Sequence, residues 1–161
     1  VALKFLNYGV CFQEIPGEVS LFFNVTGCPR KCPGCHTPEL QTEAGETLDS
    51  DTVKSIVRYH AITEKEPITT ILFFGGDHDP EFISLLEEVW EEYYMQFSLA
   101  LYTGVETKEE VSPYLRRYLR YLKVGSYKES LGPITSNTTN QRLWDLSKNL
   151  DITHKFWKTN I

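Results

Sequence analysis

Four apolar runs, over residues 19–25, 69–74, 97–102 and 121–124, alternate with helix-period patterns, and each breaks off into glycine, cysteine or hydroxyl residues. Short strands separated by helices predict an α/β chain built on a largely parallel sheet. In such sheets ligands bind at the carboxyl ends of the strands. The cysteine segment follows Val25, Gly75-Gly76-Asp77 follows Phe74, Thr103-Gly104 follows Tyr102, and Gly125-Ser126 follows Val124. All four are therefore expected on one rim.

The intervening patterns are read as helices. Residues 51–59 are expected to be helical, capped by Asp49 or Asp51 and burying Val53, Ile56 and Val57. The clearest helix follows residue 79: Asp79 caps it, Pro80 suits its first position, and Phe82, Leu85, Leu86, Val89 and Tyr93 share one face. Another is expected within residues 107–120, with Pro113 in its first turn. Residues 138–150 are also read as helical. Near the N-terminus, apolar positions alternate around Val10, Phe12 and Ile15 before a turn at Pro16-Gly17. Residues 151–161 carry no clear pattern.

No linker, repeat or low-complexity tract divides the 161 residues, so a single domain spanning 1–161 is expected. A chain of this length buries about 70% of its unfolded surface and needs no disulfide staples. The net charge of −6 argues against nucleic-acid binding, which wants a basic face. Arg116, Arg117, Arg120 and Lys123 form a local basic run; at helical spacing it reads as a solvated face, with docking of an acidic partner as the alternative. No stretch approaches the ~20 apolar residues of a membrane span. The N-terminus lacks a charged start followed by an apolar core, so a cytoplasmic location is expected, where clustered cysteines stay reduced and bind metal or react.

Cys28, Cys32 and Cys35 place three thiols within eight residues, in the order Gly27-Cys28-Pro29-Arg30-Lys31-Cys32-Pro33-Gly34-Cys35-His36. Pro29 and Pro33 prevent a regular helix, so the segment wraps as a loop that can turn its sulfurs onto one compact object. Three neighbouring thiols cannot all pair with one another, which disfavours a disulfide framework. Thiolates hold iron–sulfur clusters, and three of them on a 4Fe–4S cube leave one iron open to a small molecule. Alternatives are a zinc site completed by His36 or Cys11, or a ferredoxin-type cluster with Cys11 as fourth ligand. Zinc usually brings a second separated Cys/His pair, and Cys11 sits upstream in a strand-like segment that suits a small buried residue.

The Cys28-x3-Cys32-x2-Cys35 spacing resembles the cluster motif of the radical S-adenosylmethionine superfamily. Gly27-Cys28-Pro29, Cys32-Pro33-Gly34-Cys35-His36, Gly75-Gly76-Asp77-His78-Asp79-Pro80 and Thr138-Thr139-Asn140-Gln141-Arg142 are similar to motifs of one branch, the anaerobic ribonucleoside-triphosphate reductase activating proteins. This resemblance runs from about Val10 to Leu146. It implies a truncated (βα) barrel of the TIM type, open on one side, carrying a 4Fe–4S cluster on Cys28, Cys32 and Cys35 and binding S-adenosylmethionine. Gly75 and Gly76 then supply backbone to the amino group of S-adenosylmethionine, with the Asp77 carboxylate alongside. Tyr102 and Thr103 stand where hydroxyls meet a ribose or the methionine carboxylate, although Tyr102 suits the core equally well. Gly34 replaces the aromatic residue that many superfamily members carry before the third cysteine, which leaves His36 to pack the adenine or to serve only as a loop residue.

The resemblance further implies reductive cleavage of S-adenosylmethionine to a 5′-deoxyadenosyl radical. That radical would generate a glycyl radical on the large subunit of the anaerobic ribonucleotide reductase, with electrons from a low-potential donor such as flavodoxin or ferredoxin. No acid–base residue is nominated, because positioning carries such chemistry. An activase of the pyruvate formate-lyase type, a radical enzyme of a small metabolite, and a zinc-binding or electron-transfer module are the other readings. Asp79 is read as a helix cap rather than part of a second metal site with His78. Arg142 is read as pairing with a carboxylate or serving a partner interface.

Overall fold

A computed structural model of the chain describes residues 3–26, 45–63 and 67–157. Cys28, Cys32, Cys35 and His36 lie outside the described residues. The strands are β1 (Lys4–Cys11), β2 (Ser20–Val25), β3 (Glu46–Thr47), β4 (Thr70–Phe74), β5 (Ser98–Tyr102), β6 (Tyr121–Val124), β7 (Arg142–Asp145) and β8 (Leu150–Asp151). The helices are α1 (Ser50–Thr63), α2 (Phe82–Tyr93) and α3 (Pro113–Arg116).

The strands form one sheet in the order β3-β1-β2-β4-β5-β6-β7-β8. The expected predominance of parallel pairing is corrected to a mixed sheet. Only β2–β4, β4–β5 and β5–β6 pair parallel, while β1–β2, β1–β3, β6–β7 and β7–β8 pair antiparallel. Crossover length accounts for part of the division. Parallel neighbours need a connection of a dozen or more residues, whereas the turns joining β1 to β2 and β7 to β8 are too short to do anything but reverse the chain.

Strand alternation gives the sheet two apolar faces. One carries Leu21, Phe23, Ile71, Phe73, Leu101 and Leu122 against the helices. There Phe73 stacks on Phe23 at 5.6 Å and meets the edge of Phe82 at 5.4 Å. The other carries Leu72, Ala100, Tyr121 and Leu143, covered by Ile15 and Ile152 with Phe74, Tyr102 and Ile134 beside them. We call the second the inner face.

Helix α2 buries Phe82, Leu85, Leu86, Val89 and Tyr93, the face expected from periodicity; each large apolar side chain contributes roughly 1.5–3 kcal/mol. Its first turn differs. Asp79 Oδ1 accepts the Glu81 N–H at 2.8 Å in a turn before the helix, so Asp79 shapes the entry rather than capping α2 itself. Helix α1 begins at Ser50, where Asp49 Oδ1 accepts the Thr52 N–H at 2.8 Å as an N-cap.

Three expectations are revised. The helix sought within 107–120 divides into a 3₁₀ turn at Lys108–Glu110 and the short α3, with Pro113 opening α3 and Ser112 capping it. Residues 138–150 are not helical: turns lead into β7, whose Leu143 and Asp145 face inward and are both buried. Near the N-terminus the strand lies earlier than the alternation suggested, ending at Cys11, so Phe12 is exposed while Ile15 is fully buried. Among the described residues no helix is long and apolar enough to cross a membrane.

Candidate functional site

Strand β4 ends in two consecutive glycines with left-handed backbone, Gly75 at φ +87° and Gly76 at φ +109°. Most residues avoid such angles because their Cβ meets the backbone. The Gly75 N–H donates to the Tyr102 carbonyl at 2.8 Å, which holds the turn against the end of β5. A Cβ on Gly76 would lie 3.0 Å from two ring carbons of Phe82 and 3.4 Å from Val25 Cγ1. One on Gly75 would meet only the Val25 carbonyl oxygen, at 3.8 Å. Both glycines thus pass alongside Val25, three residues before Cys28.

Beyond the glycines, Asp77 turns toward the next rim segment. The Thr103 hydroxyl donates to Asp77 Oδ2 at 2.6 Å, and the Thr103 N–H donates to the Lys123 carbonyl at 2.9 Å. Thr103 is buried, so its hydroxyl is fixed by its surroundings and orients the carboxylate. Gly75, Gly76, Asp77 and Thr103 therefore converge at the carboxyl ends of β4 and β5.

Tyr102 sits differently. Its ring lies on the inner face, edge-on to Phe74 at 5.1 Å, and its hydroxyl donates to the Glu14 carbonyl. Burial, reinforced by Glu14, pushes this phenol well above its ordinary value, so it remains a neutral donor. The hydroxyl is committed to tying the segment before β2 across the sheet.

Lys123 lies elsewhere than the sequence pattern put it. It was grouped with the arginines on one helical face, but α3 ends at Arg116 and Lys123 lies in β6, paired with Tyr102. Its ammonium lies 4.8 Å from the Tyr102 ring centroid on the inner face. The two-residue period of Tyr121-Leu122-Lys123-Val124 carried the signal, since it puts Lys123 on the same side as Tyr121.

The segment after β6 is held by the Thr138-Thr139-Asn140-Gln141-Arg142 motif. Asn140 Nδ2 donates to the Ser126 carbonyl at 3.1 Å and Gln141 Nε2 to the Gly125 carbonyl at 3.2 Å. A Cβ on Gly125 would lie 2.9 Å from Gln141 Cα, so the two segments touch through backbone. The Ser126 hydroxyl donates to Glu106 at 2.6 Å and holds that carboxyl below its usual range. Arg142 faces away from the rim glycines, pairing with Asp151 at 3.8 Å.

A family model described as a 4Fe-4S single cluster domain matches residues 16–153. The anaerobic ribonucleoside-triphosphate reductase-activating protein of Enterobacteria phage T4 is 28% identical over 145 residues, covering 85% of this chain and 90% of that protein. No solved structure matches the chain. The matched span contains the cysteine segment and all four rim segments.

Proposed function

The chain belongs to the 4Fe-4S single cluster domain family, and from that membership we propose that it is a radical S-adenosylmethionine activase of an anaerobic ribonucleotide reductase. The observation that carries the reading is the passage of Gly75 and Gly76 alongside Val25, which brings the double-glycine turn to the root of the cysteine segment. The activity named for the phage T4 relative supports the partner.

The donor set suits a 4Fe–4S cluster: Cys28, Cys32 and Cys35 would supply three thiolates, which would leave one iron open to S-adenosylmethionine. Such a cluster would, when reduced, supply the electron for cleavage of S-adenosylmethionine to methionine and a 5′-deoxyadenosyl radical, and that radical would take a hydrogen atom from a glycine Cα of the reductase. The chain's own residues bind and orient. The Gly75-Gly76 backbone lets the ligand approach closely, Asp77 favours its ammonium, and Thr103 holds the Asp77 carboxylate in place. His36 is the residue that the resemblance leaves to pack the adenine or to serve only as a loop residue. No side chain moves a proton, and site geometry does the work. The parallel β2–β4–β5–β6 core is read as the segment of an open (βα) barrel, with a flavodoxin- or ferredoxin-type protein as electron donor.

Anaerobically reconstituted protein tests this directly. It is expected to hold about four irons per chain and, once reduced, to convert S-adenosylmethionine to 5′-deoxyadenosine and methionine. Adding the reductase is expected to give a glycyl radical by electron paramagnetic resonance. Ala at Cys28, Cys32 or Cys35 is expected to abolish cluster retention or turnover, whereas Cys11→Ala retains both. Stoichiometric zinc would instead identify a binding module, and iron without cleavage an electron-transfer protein. A radical formed only on a different glycyl-radical enzyme would overturn the partner.

A further inference from the structure

At the end of the sheet opposite the glycine rim, α2, the start of β5, α3 and the turn after β7 enclose an open cavity of about 380 Å³. Its walls combine four aromatic residues, Trp90, Tyr94, Phe97 and Tyr118, with three arginines, Arg116, Arg117 and Arg120. No acidic side chain lines it among the described residues. In a chain of net charge −6, this concentration of positive charge beside aromatic surface needs an explanation that solvation of a helical face no longer gives, since α3 is a single turn ending at Arg116.

The side chains are arranged in advance. Trp90 and Tyr94 stack at 4.8 Å with planes 25° apart, and Tyr118 extends the group, 5.6 Å from Trp90. Tyr94 is 56% exposed, so this aromatic group has surface available to a further planar ring. Arg116 is anchored through Nε, which donates to the Val111 carbonyl at 2.9 Å and leaves its terminal nitrogens available. Arg117 donates to the Tyr118 hydroxyl at 2.6 Å, with its guanidinium 4.7 Å from that ring. Arg120 is already engaged on the inner face, its guanidinium 4.8 Å from the Tyr121 ring centroid and 3.6 Å from Asp145, so the anion falls to Arg116 and Arg117. Guanidinium forks held in this way match phosphate oxygens, and less freedom is lost when an anion arrives.

We propose that this cavity is a nucleotide site, in which the arginines receive the phosphates of a nucleoside triphosphate and the base stacks on the Trp90–Tyr94 group. Its volume falls in the range of small-molecule pockets. It lies a full strand length from the rim, roughly 17 Å at about 3.3 Å per residue, so it is separate from the cluster chemistry and stands whether or not that reading holds. A ligand here contacts the outer ends of α2 and β5 rather than reacting groups, which makes the site regulatory.

Isothermal titration of the intact chain with ATP, inorganic tripolyphosphate and adenosine tests the proposal. ATP is expected to bind more tightly than tripolyphosphate, and adenosine most weakly. Arg117→Ala is expected to weaken ATP binding by about tenfold or more, since each charge-assisted contact carries at least that factor. Tyr94→Ala, at an exposed position, is expected to weaken ATP while leaving tripolyphosphate unchanged. Thermal melting of each variant confirms that the fold is retained, and Arg117→Lys, which keeps the charge but not the fork, is expected to fall between Ala and the unmodified chain. Absence of ATP binding up to about 1 mM overturns the proposal. So does equal affinity for ATP and tripolyphosphate, which would mean a site for phosphate alone, and so does ATP affinity unchanged in the folded Arg117→Ala variant.

Discussion

Thr103 and Asp77, 26 residues apart, are joined by a hydrogen bond of 2.6 Å that ties the end of β5 to the turn following β4. The bond makes the orientation of an acidic rim group depend on a buried hydroxyl from a neighbouring strand. Thr103→Val preserves shape and removes the donor. It is expected to cost about 1–3 kcal/mol of stability, measured by urea unfolding, because the half-buried Asp77 carboxylate loses a hydrogen bond. It is also expected to weaken S-adenosylmethionine binding, and Thr103→Ser should restore both. Unchanged binding in the Val variant would remove Thr103 from the site.

The two rim glycines are expected to respond differently to a methyl group. Gly75→Ala meets only the cost of a left-handed backbone, about 1–2 kcal/mol, because the space around its Cβ is ordinary. Gly76→Ala carries that cost and also presses on the Phe82 ring at 3.0 Å. Thermal unfolding should therefore rank Gly76→Ala below Gly75→Ala. The reverse order would contradict the geometry of the turn.

Burial, together with the Glu14 carboxylate, pushes the Cys11 thiol up to about 12. Only the thiolate is nucleophilic, so Cys11 is expected to react with iodoacetamide at pH 8 about a thousandfold more slowly in the folded chain than in urea. Mass spectrometry of the Cys11 peptide gives the two rates. Comparable rates would show that Cys11 is open and ionised, which would reinstate it as a metal ligand.

Hydrogen bonds from the Thr52 amide and hydroxyl hold the Asp49 carboxyl below its usual range. Since the folded value is the lower one, the cap stabilises the chain fully above the unfolded carboxyl value of about 3.9 and loses its effect as pH falls through the folded value. Asp49→Ala is accordingly expected to cost about 1 kcal/mol near neutrality, with the gap to the unmodified chain narrowing below about pH 4. A gap independent of pH would assign the loss to something other than the charged cap.

Much of the scaffold was legible because its signals are local. The buried face of α2 follows from a single periodicity, and the strand ends from the position of glycines after apolar runs. Residues 138–150 misled for a non-local reason. Leu143 and Asp145 share a face only once β7 lies against β6, and Asp145 is buried beside Arg120, an ion pair that no local pattern announces. At the site, Gly75, Gly76, Asp77 and Thr103 were found as a set because each stands at the end of an apolar run. The engagement of Tyr102 with Glu14 was invisible, since it joins residues 88 apart. Cys28, Cys32 and Cys35 were read from their spacing and its resemblance to a family motif, His36 from that resemblance, and all four lie outside the described residues.

The reversal of direction at β6–β7 and at β1–β2 brackets the parallel quartet on both borders. Among the described residues these four adjacent strands share one direction without interruption, and the sheet ends at β3 and β8 without closing on itself. Under the proposed function, a substrate at these tips would be gripped along one flank, and the other would fall to the molecule that brings the glycine. Completion of the chamber and arrival of the recipient would then be a single event, which would keep a reactive carbon centre from being released into water.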